Sequence, residues 1–172
     1  MNGRRSFLNA AWAVAVPAAA AIVSTGVANG QDGNGNVKDI MGSWNSIHTL
    51  PFPPGQFREF LRFADDGGVH ETNSFLHTAS NLDFSMFGLP NVVNGADGVG
   101  SWTRAGHRSI DVVFRKLLFN GSRVNFGDLH VTGTVTTNGD KLQANWHIMV
   151  VDPTDKVLLD FGQATSEGVR LR

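Results

Sequence analysis

Residues 128–151 read DLHVTGTVTTNGDKLQANWHIMVV, and this stretch decides the fold. Apolar and polar residues alternate on both sides of Asn138-Gly139, and a period of two marks a half-buried strand. Asn-Gly between alternating runs is a strong short hairpin signal, because tight hairpin turns need positive φ. With Asn138 and Gly139 as the central pair, Thr137 faces Asp140. Leu129 then falls opposite Ile148, Val131 opposite Trp146, Gly133 opposite Ala144 and Val135 opposite Leu142. The other face sets His130 by His147, Thr132 by Asn145 and Thr134 by Gln143. Apolar meets apolar and polar meets polar along the whole hairpin.

The flanking segments extend this pattern. A turn at Asn120-Gly121 sets Val112 against Leu129, Ile110 against Val131 and Phe114 against Gly127. A loop across 153–156 sets Val150 by Leu159, Ile148 by Phe161 and Trp146 by Gln163. Upstream, Asp65-Asp66-Gly67-Gly68 separates two further runs and brings Arg62 opposite Glu71 as a cross-strand ion pair. Gly42-Ser43-Trp44 opens one strand and Gly100-Ser101-Trp102 another. The strands are predicted at 41–50, 57–64, 69–75, 99–104, 108–119, 123–136, 141–152 and 157–165. From Ile40 onward no apolar 3.6-residue period is sustained for three turns. Antiparallel strands with one apolar face bury it, and lose their edges, by closing the sheet. The expected fold is therefore all-β, a single eight-stranded antiparallel up-and-down barrel of meander topology over 40–172. The stretch 76–99 is expected to be a long loop covering one end.

Composition agrees with one domain. The 172 residues carry 41% hydrophobic and 17% charged side chains, too apolar for a disordered chain. Fourteen basic and 15 acidic residues leave a net charge of −1, so no basic field argues for nucleic acid. Cysteine is absent, which excludes disulfides, thiolate metal sites and a thiol nucleophile. No Gly-x-Ser-x-Gly elbow, phosphate loop, His-Glu-x-x-His or GxGxxG after a strand occurs, so nucleotide-dependent chemistry and zincin hydrolysis are not expected. No cofactor is expected.

Residues 1–30 read as an export signal. Arg4-Arg5 precedes an Ala/Val-rich stretch from Phe7 to Val23, and Thr25-Gly26-Val27-Ala28 offers small residues for cleavage. Gly3-Arg4-Arg5-Ser6-Phe7-Leu8 resembles the twin-arginine signal, Arg-Arg-x-Phe-Leu. That resemblance implies a bacterial protein, periplasmic or secreted, folded before export and without stable membrane anchoring after cleavage. Removal of residues 1–28 takes Arg4 and Arg5 and no acid, leaving 12 basic against 15 acidic residues, a charge of −3. The Gly/Asn/Gln/Asp tract at 29–36 reads as flexible leader, placed at 31–39.

Gly42-Ser43-Trp44, on the first strand, and Arg170, near the C-terminal end, resemble the pattern of lipocalin-like, calycin-type barrels. In that family the Trp plugs the barrel floor and an Arg packs over it. A different eight-stranded barrel, similar to the allene oxide cyclase and dirigent group, is the competitor. Both resemblances imply a small, largely apolar molecule held in the lumen, and the second group includes cyclases.

The candidate site residues follow from strand parity. The predicted registers align Asp111, His130 and His147 as one polar row, the residue types of a relay or a metal site. Turning that row inward would expose Trp146, Ile148, Phe161, Leu159, Val112 and Leu129, so it is read as exterior or as a contact in a homo-oligomer. The face carrying Phe126, Val151 and Leu158 is the other candidate subunit contact. Inside, Gly133 and Ala144 leave volume beside Trp146, which either bounds a pocket or fills the space. Trp102, Arg108, Gly133, Ala144, Trp146 and Gln163 are the candidate ligand-binding residues. His48 shares the parity of Trp44 and points inward. His48, Arg108 and Gln163 are the groups to suspect of catalysis in a cofactor-independent cyclase, isomerase or lyase.

Overall fold

A computed structural model describes residues 37–51, 54–76 and 82–172. The expected signal at 1–30 and the leader as far as residue 36 lie outside the described residues, and Val37–Asp39 forms a short 3-10 turn. Among the described residues nine strands follow: β1 (Gly42–Pro51), β2 (Pro54–Phe63), β3 (Gly68–Asn73), β4 (Val93–Gly95), β5 (Gly98–Arg104), β6 (Ser109–Asn120), β7 (Asn125–Asn138), β8 (Lys141–Val151) and β9 (Val157–Arg170).

Eight of them close a barrel. Antiparallel pairing runs β1-β2-β3-β5-β6-β7-β8-β9 and returns from β9 to β1, so no long edge is left open. The three-residue β4 pairs with β6 through Gly95 and Leu118, while Gly127 of β7 holds the other side of Leu118. It therefore continues the line of β5 beyond an interruption at Ala96 and Asp97. Burial alternates along the strands, as a closed sheet with an apolar interior requires: Trp44, Ser46, His48 and Leu50 are buried on β1, and Ile110, Val112, Phe114, Lys116 and Leu118 on β6.

The meander order agrees with the expected one, and the registers correct it. β7 and β8 meet with Asn138 opposite Lys141, so Gly139 and Asp140 form the turn. Gly139 has φ +63° while Asp140 does not enter the positive region, so the glycine takes the first central position rather than the second. Every pair accordingly slips by two residues: Gly133 faces Trp146, Val135 faces Ala144, and His130 faces Met149 instead of His147. Between β6 and β7 the slip is four residues, with Val112 on Gly133 and Asp111 on Thr134. There the loop is longer than two residues. The Asn120 side-chain oxygen accepts the amides of Ser122 and Val124, and Arg123 takes φ +61°. Even-numbered slips keep each side chain on its face, so the expected interior survives both corrections.

β8 and β9 match the expected register at Val150 on Leu159 and Met149 on Asp160, between a one-residue shift that pairs Val151 with Val157 and a second shift at a bulge. Ile148 pairs with Gly162 and Met149 with Asp160, leaving Phe161 as the extra residue. Gly162 adopts φ +75°, and its amide donates to Asp160 Oδ1 at 2.7 Å. An odd shift reverses the face, so Gln163 turns outward and Ala164 and Ser166 turn inward. No atom lies within 4 Å of where a Cβ on Gly162 would sit, so Gly162→Ala meets a purely conformational penalty. It is expected to cost about 1–2 kcal/mol, read as a lower urea midpoint at unchanged m-value.

Both barrel ends are filled. At one end Trp44 is fully buried and donates through Nε1 to the Ile40 carbonyl at 2.8 Å. The Arg170 guanidinium lies 4.3 Å above its ring and also donates to the carbonyls of Met41 and Asp39. At the other end, within the segment expected to be a covering loop, the described residues 82–92 fold over Phe161. Phe84 and Phe87 pack on that ring at 5.7 and 6.2 Å.

Candidate functional site

Between the two filled ends, the interior carries a belt of polar and ionisable side chains. Ser46 and His48 come from β1, Glu59 from β2, Glu71 from β3, Lys116 from β6 and Ser166 from β9, and all are buried. Each holds an inward position of an alternating strand, so pleat geometry turns side chains from five strands into the same interior.

The belt has two connected parts. In the first, Ser166 Oγ donates to Glu59 Oε1 at 2.6 Å and accepts the Trp146 indole N–H at 2.9 Å. Ser46 Oγ donates to the same Glu59 oxygen at 3.1 Å. His48 Nδ1 stands 3.0 Å from Ser166 Oγ and 3.4 Å from Glu59 Oε1. The His48 ring stacks on Phe57 at 4.6 Å, and Phe57 stacks on Phe75 at 5.1 Å. The far nitrogen, Nε2, is buried without a hydrogen-bond partner.

In the second part, Lys116 Nζ lies 2.8 Å from Glu71 Oε2, and Asn73 Nδ2 donates to Glu71 Oε1 at 2.7 Å. Burial pushes the Glu71 carboxyl above its ordinary value, opposed chiefly by the adjacent Lys116 ammonium and reinforced by Glu59. The expected pairing of Glu71 with exposed Arg62 is corrected: Arg62 faces His70, and Glu71 faces Leu61 from inside the barrel. Strand parity signals Glu59, Glu71 and Lys116 as plainly as it signals His48, because each alternates with buried Phe, Leu or Val. Ser166 had no such signal, because the bulge inverts its parity.

The sequence-derived candidates fall into three groups. Trp146, Gly133 and Ala144 stay together, with Trp146 packed directly over Gly133. A Cβ there would come within 2.5 Å of the indole and 2.3 Å of the Asn145 carbonyl. Trp146 also meets Phe114 edge-on at 5.9 Å. Trp102 is half-buried near the Trp44 end and donates to the Ala64 carbonyl at 2.8 Å. Arg108 and Gln163 are exposed and remote from the belt; Arg108 reaches Asp39 at 3.8 Å and Asn138 at 3.5 Å.

The exterior row does not assemble as drawn. Asp111 accepts from Thr134 Oγ1 at 2.8 Å, and His147 Nε2 contacts Asp160 at 2.8 Å. His130 is held below its ordinary imidazole value by burial first and by the Arg115 guanidinium second. Among the described residues no group of three His, Asp or Glu side chains is arranged to hold a metal. Val151, placed by the sequence on an outer face, is buried. A groove of about 560 Å³ opens on the outer wall, bordered by Asn45, Ile47, Gln143, Glu167 and Val169.

Fold and site together define a closed eight-stranded antiparallel barrel with a belt of polar and ionisable side chains in its interior. No known protein family and no curated protein matches the sequence. Among solved structures the chain is similar to one described as EF1p2_mFAP2b bound to DFHBI, at 11% identity and a TM-score of 0.48, over 78% of this chain and 95% of that one.

Proposed function

We propose that the protein is a lipocalin-like barrel that binds a small, largely apolar molecule in its lumen, in contact with His48. The observation that carries this reading is the buried, unpartnered Nε2 of His48 beside the Phe57–Phe75 stack. Orphaned buried nitrogens cost free energy, as do ion pairs withdrawn from water, and a barrel built for stability alone would fill its centre with aliphatics. Buried ionisable groups inside a concave apolar shell mark a candidate ligand site. Trp146, Ala144 and Gly133 belong to the same interior, whereas Arg108 and Gln163 do not line it. Gly42-Ser43-Trp44 with Arg170 over the indole supports the lipocalin-like kinship. The Arg4-Arg5 signal supports export to the periplasm or beyond.

A second reading, a cofactor-independent cyclase, isomerase or lyase, is favoured by one contact. His48 and Glu59 stand 3.4 Å apart in a water-poor interior, where an imidazole–carboxylate pair can hold and move a proton.

Natively purified protein is expected to release a co-purified apolar compound on denaturation, detected by mass spectrometry. His48→Phe is expected to carry less of it at similar thermal stability. A wild-type protein that releases nothing and binds no neutral, environment-sensitive apolar dye overturns the reading.

A further inference from the structure

Resting on the lumen as the binding site, we infer that His48 selects ligands that donate a hydrogen bond, with an apolar amine the preferred class. The argument is an inventory of protons. Ser166 donates in its short contact to Glu59 Oε1, which takes the single hydroxyl hydrogen of that serine. Ser166 Oγ already accepts the Trp146 N–H, and its remaining lone pair faces His48 Nδ1 at 3.0 Å. Nδ1 must therefore carry the proton. A neutral imidazole protonated there presents a bare lone pair at Nε2, the atom left without a partner. What completes the site is a donor.

Charge points the same way. The ionisable groups of the belt other than His48 are Glu59 from β2, Glu71 from β3 and Lys116 from β6. Glu71 accepts the Asn73 amide at Oε1, and its Oε2 lies 2.8 Å from the Lys116 nitrogen. Two carboxyl groups stand against one amine in the belt, a balance that a cationic head complements and an anionic head does not. The Phe57–Phe75 wall beside the imidazole suits an aromatic body.

Three probes share one ring and differ in the head: 2-phenylethylamine, 2-phenylethanol and phenylacetate. Calorimetric titration of the full chain is expected to rank them amine, alcohol, carboxylate, with the amine about tenfold or more tighter than the carboxylate. In His48→Phe the spread is expected to collapse, with circular dichroism confirming that the variant folds. Long-range proton–nitrogen spectra of histidine-labelled wild type test the tautomer without any ligand, and a bare Nε2 is expected. A ring protonated at both nitrogens, or tighter binding of phenylacetate, overturns the inference while leaving the lumen site standing. Binding of a neutral apolar dye with no binding of any probe also overturns it. Failure of dye and probes together removes the lumen site itself.

Discussion

Lys116→Met is expected to destabilise the barrel by about 3–5 kcal/mol, because it strands the Glu71 carboxylate in the interior without its cation. Lys116 and Glu71 are each 2% exposed, so water cannot replace the lost partner. The pH dependence carries a definite sign. A carboxyl whose folded-state value lies above the ordinary 4.5 binds its proton more tightly in the native state than in the unfolded chain. Stability attributable to Glu71 is therefore greatest below 4.5 and declines as the pH rises toward the folded-state value. Removing the ammonium lifts that value further, so the difference between variant and wild type is expected to shrink on acidification and widen toward alkaline pH. The double replacement Glu71→Leu with Lys116→Met removes both charges, and is expected to be neutral or stabilising by about 1–4 kcal/mol. Urea denaturation of the three proteins at several pH values checks each part. A Lys116→Met loss independent of pH would show that Glu71 is not the group left uncompensated.

Trp146→Ala is expected to cost about 3–5 kcal/mol, the range for deleting a large buried aromatic. The indole occupies space over Gly133, meets Phe114 edge-on and supplies the donor to Ser166. Its removal opens a cavity bounded by Gly133, Ala144 and Phe114 rather than a collapsed site, since the surrounding strands are closed on themselves. Such a cavity takes up benzene-sized molecules, so the variant is expected to gain more thermal stability in saturating benzene than wild type does. Equal response of the two proteins would mean that the barrel relaxes into the vacancy.

The alternation of residues was enough to read the barrel, because face assignment depends on parity alone. Slips of two and four residues at Gly139 and Asn120 changed every partner and no face. What set the true registers was turn detail: the positive φ of Gly139, the Asn120 side chain wrapping its loop, and the positive φ of Arg123. None of these leaves a trace in a binary pattern. The bulge at Gly162 is a different case. A glycine inside a strand is a recognised bulge signal, and without it Gln163 was expected to face inward. The buried polar belt was hidden by composition rather than by geometry. Glu59, Glu71 and Lys116 sit on inward parity, yet charged residues are seldom buried, and an offset of one residue gave Glu71 a plausible exposed partner in Arg62.

The seam between β1 and β9 has a kinetic consequence. His48 and Ser166 are separated by 118 positions, and Trp44 and Arg170 lie near opposite ends of the described chain. A nascent chain emerging from the ribosome can zip its middle hairpins early, but the last strand to be synthesised must find the first before the imidazole meets its serine. The high contact order of that closure makes it the slow event, and leaves an open-edged sheet exposed to aggregation until it happens.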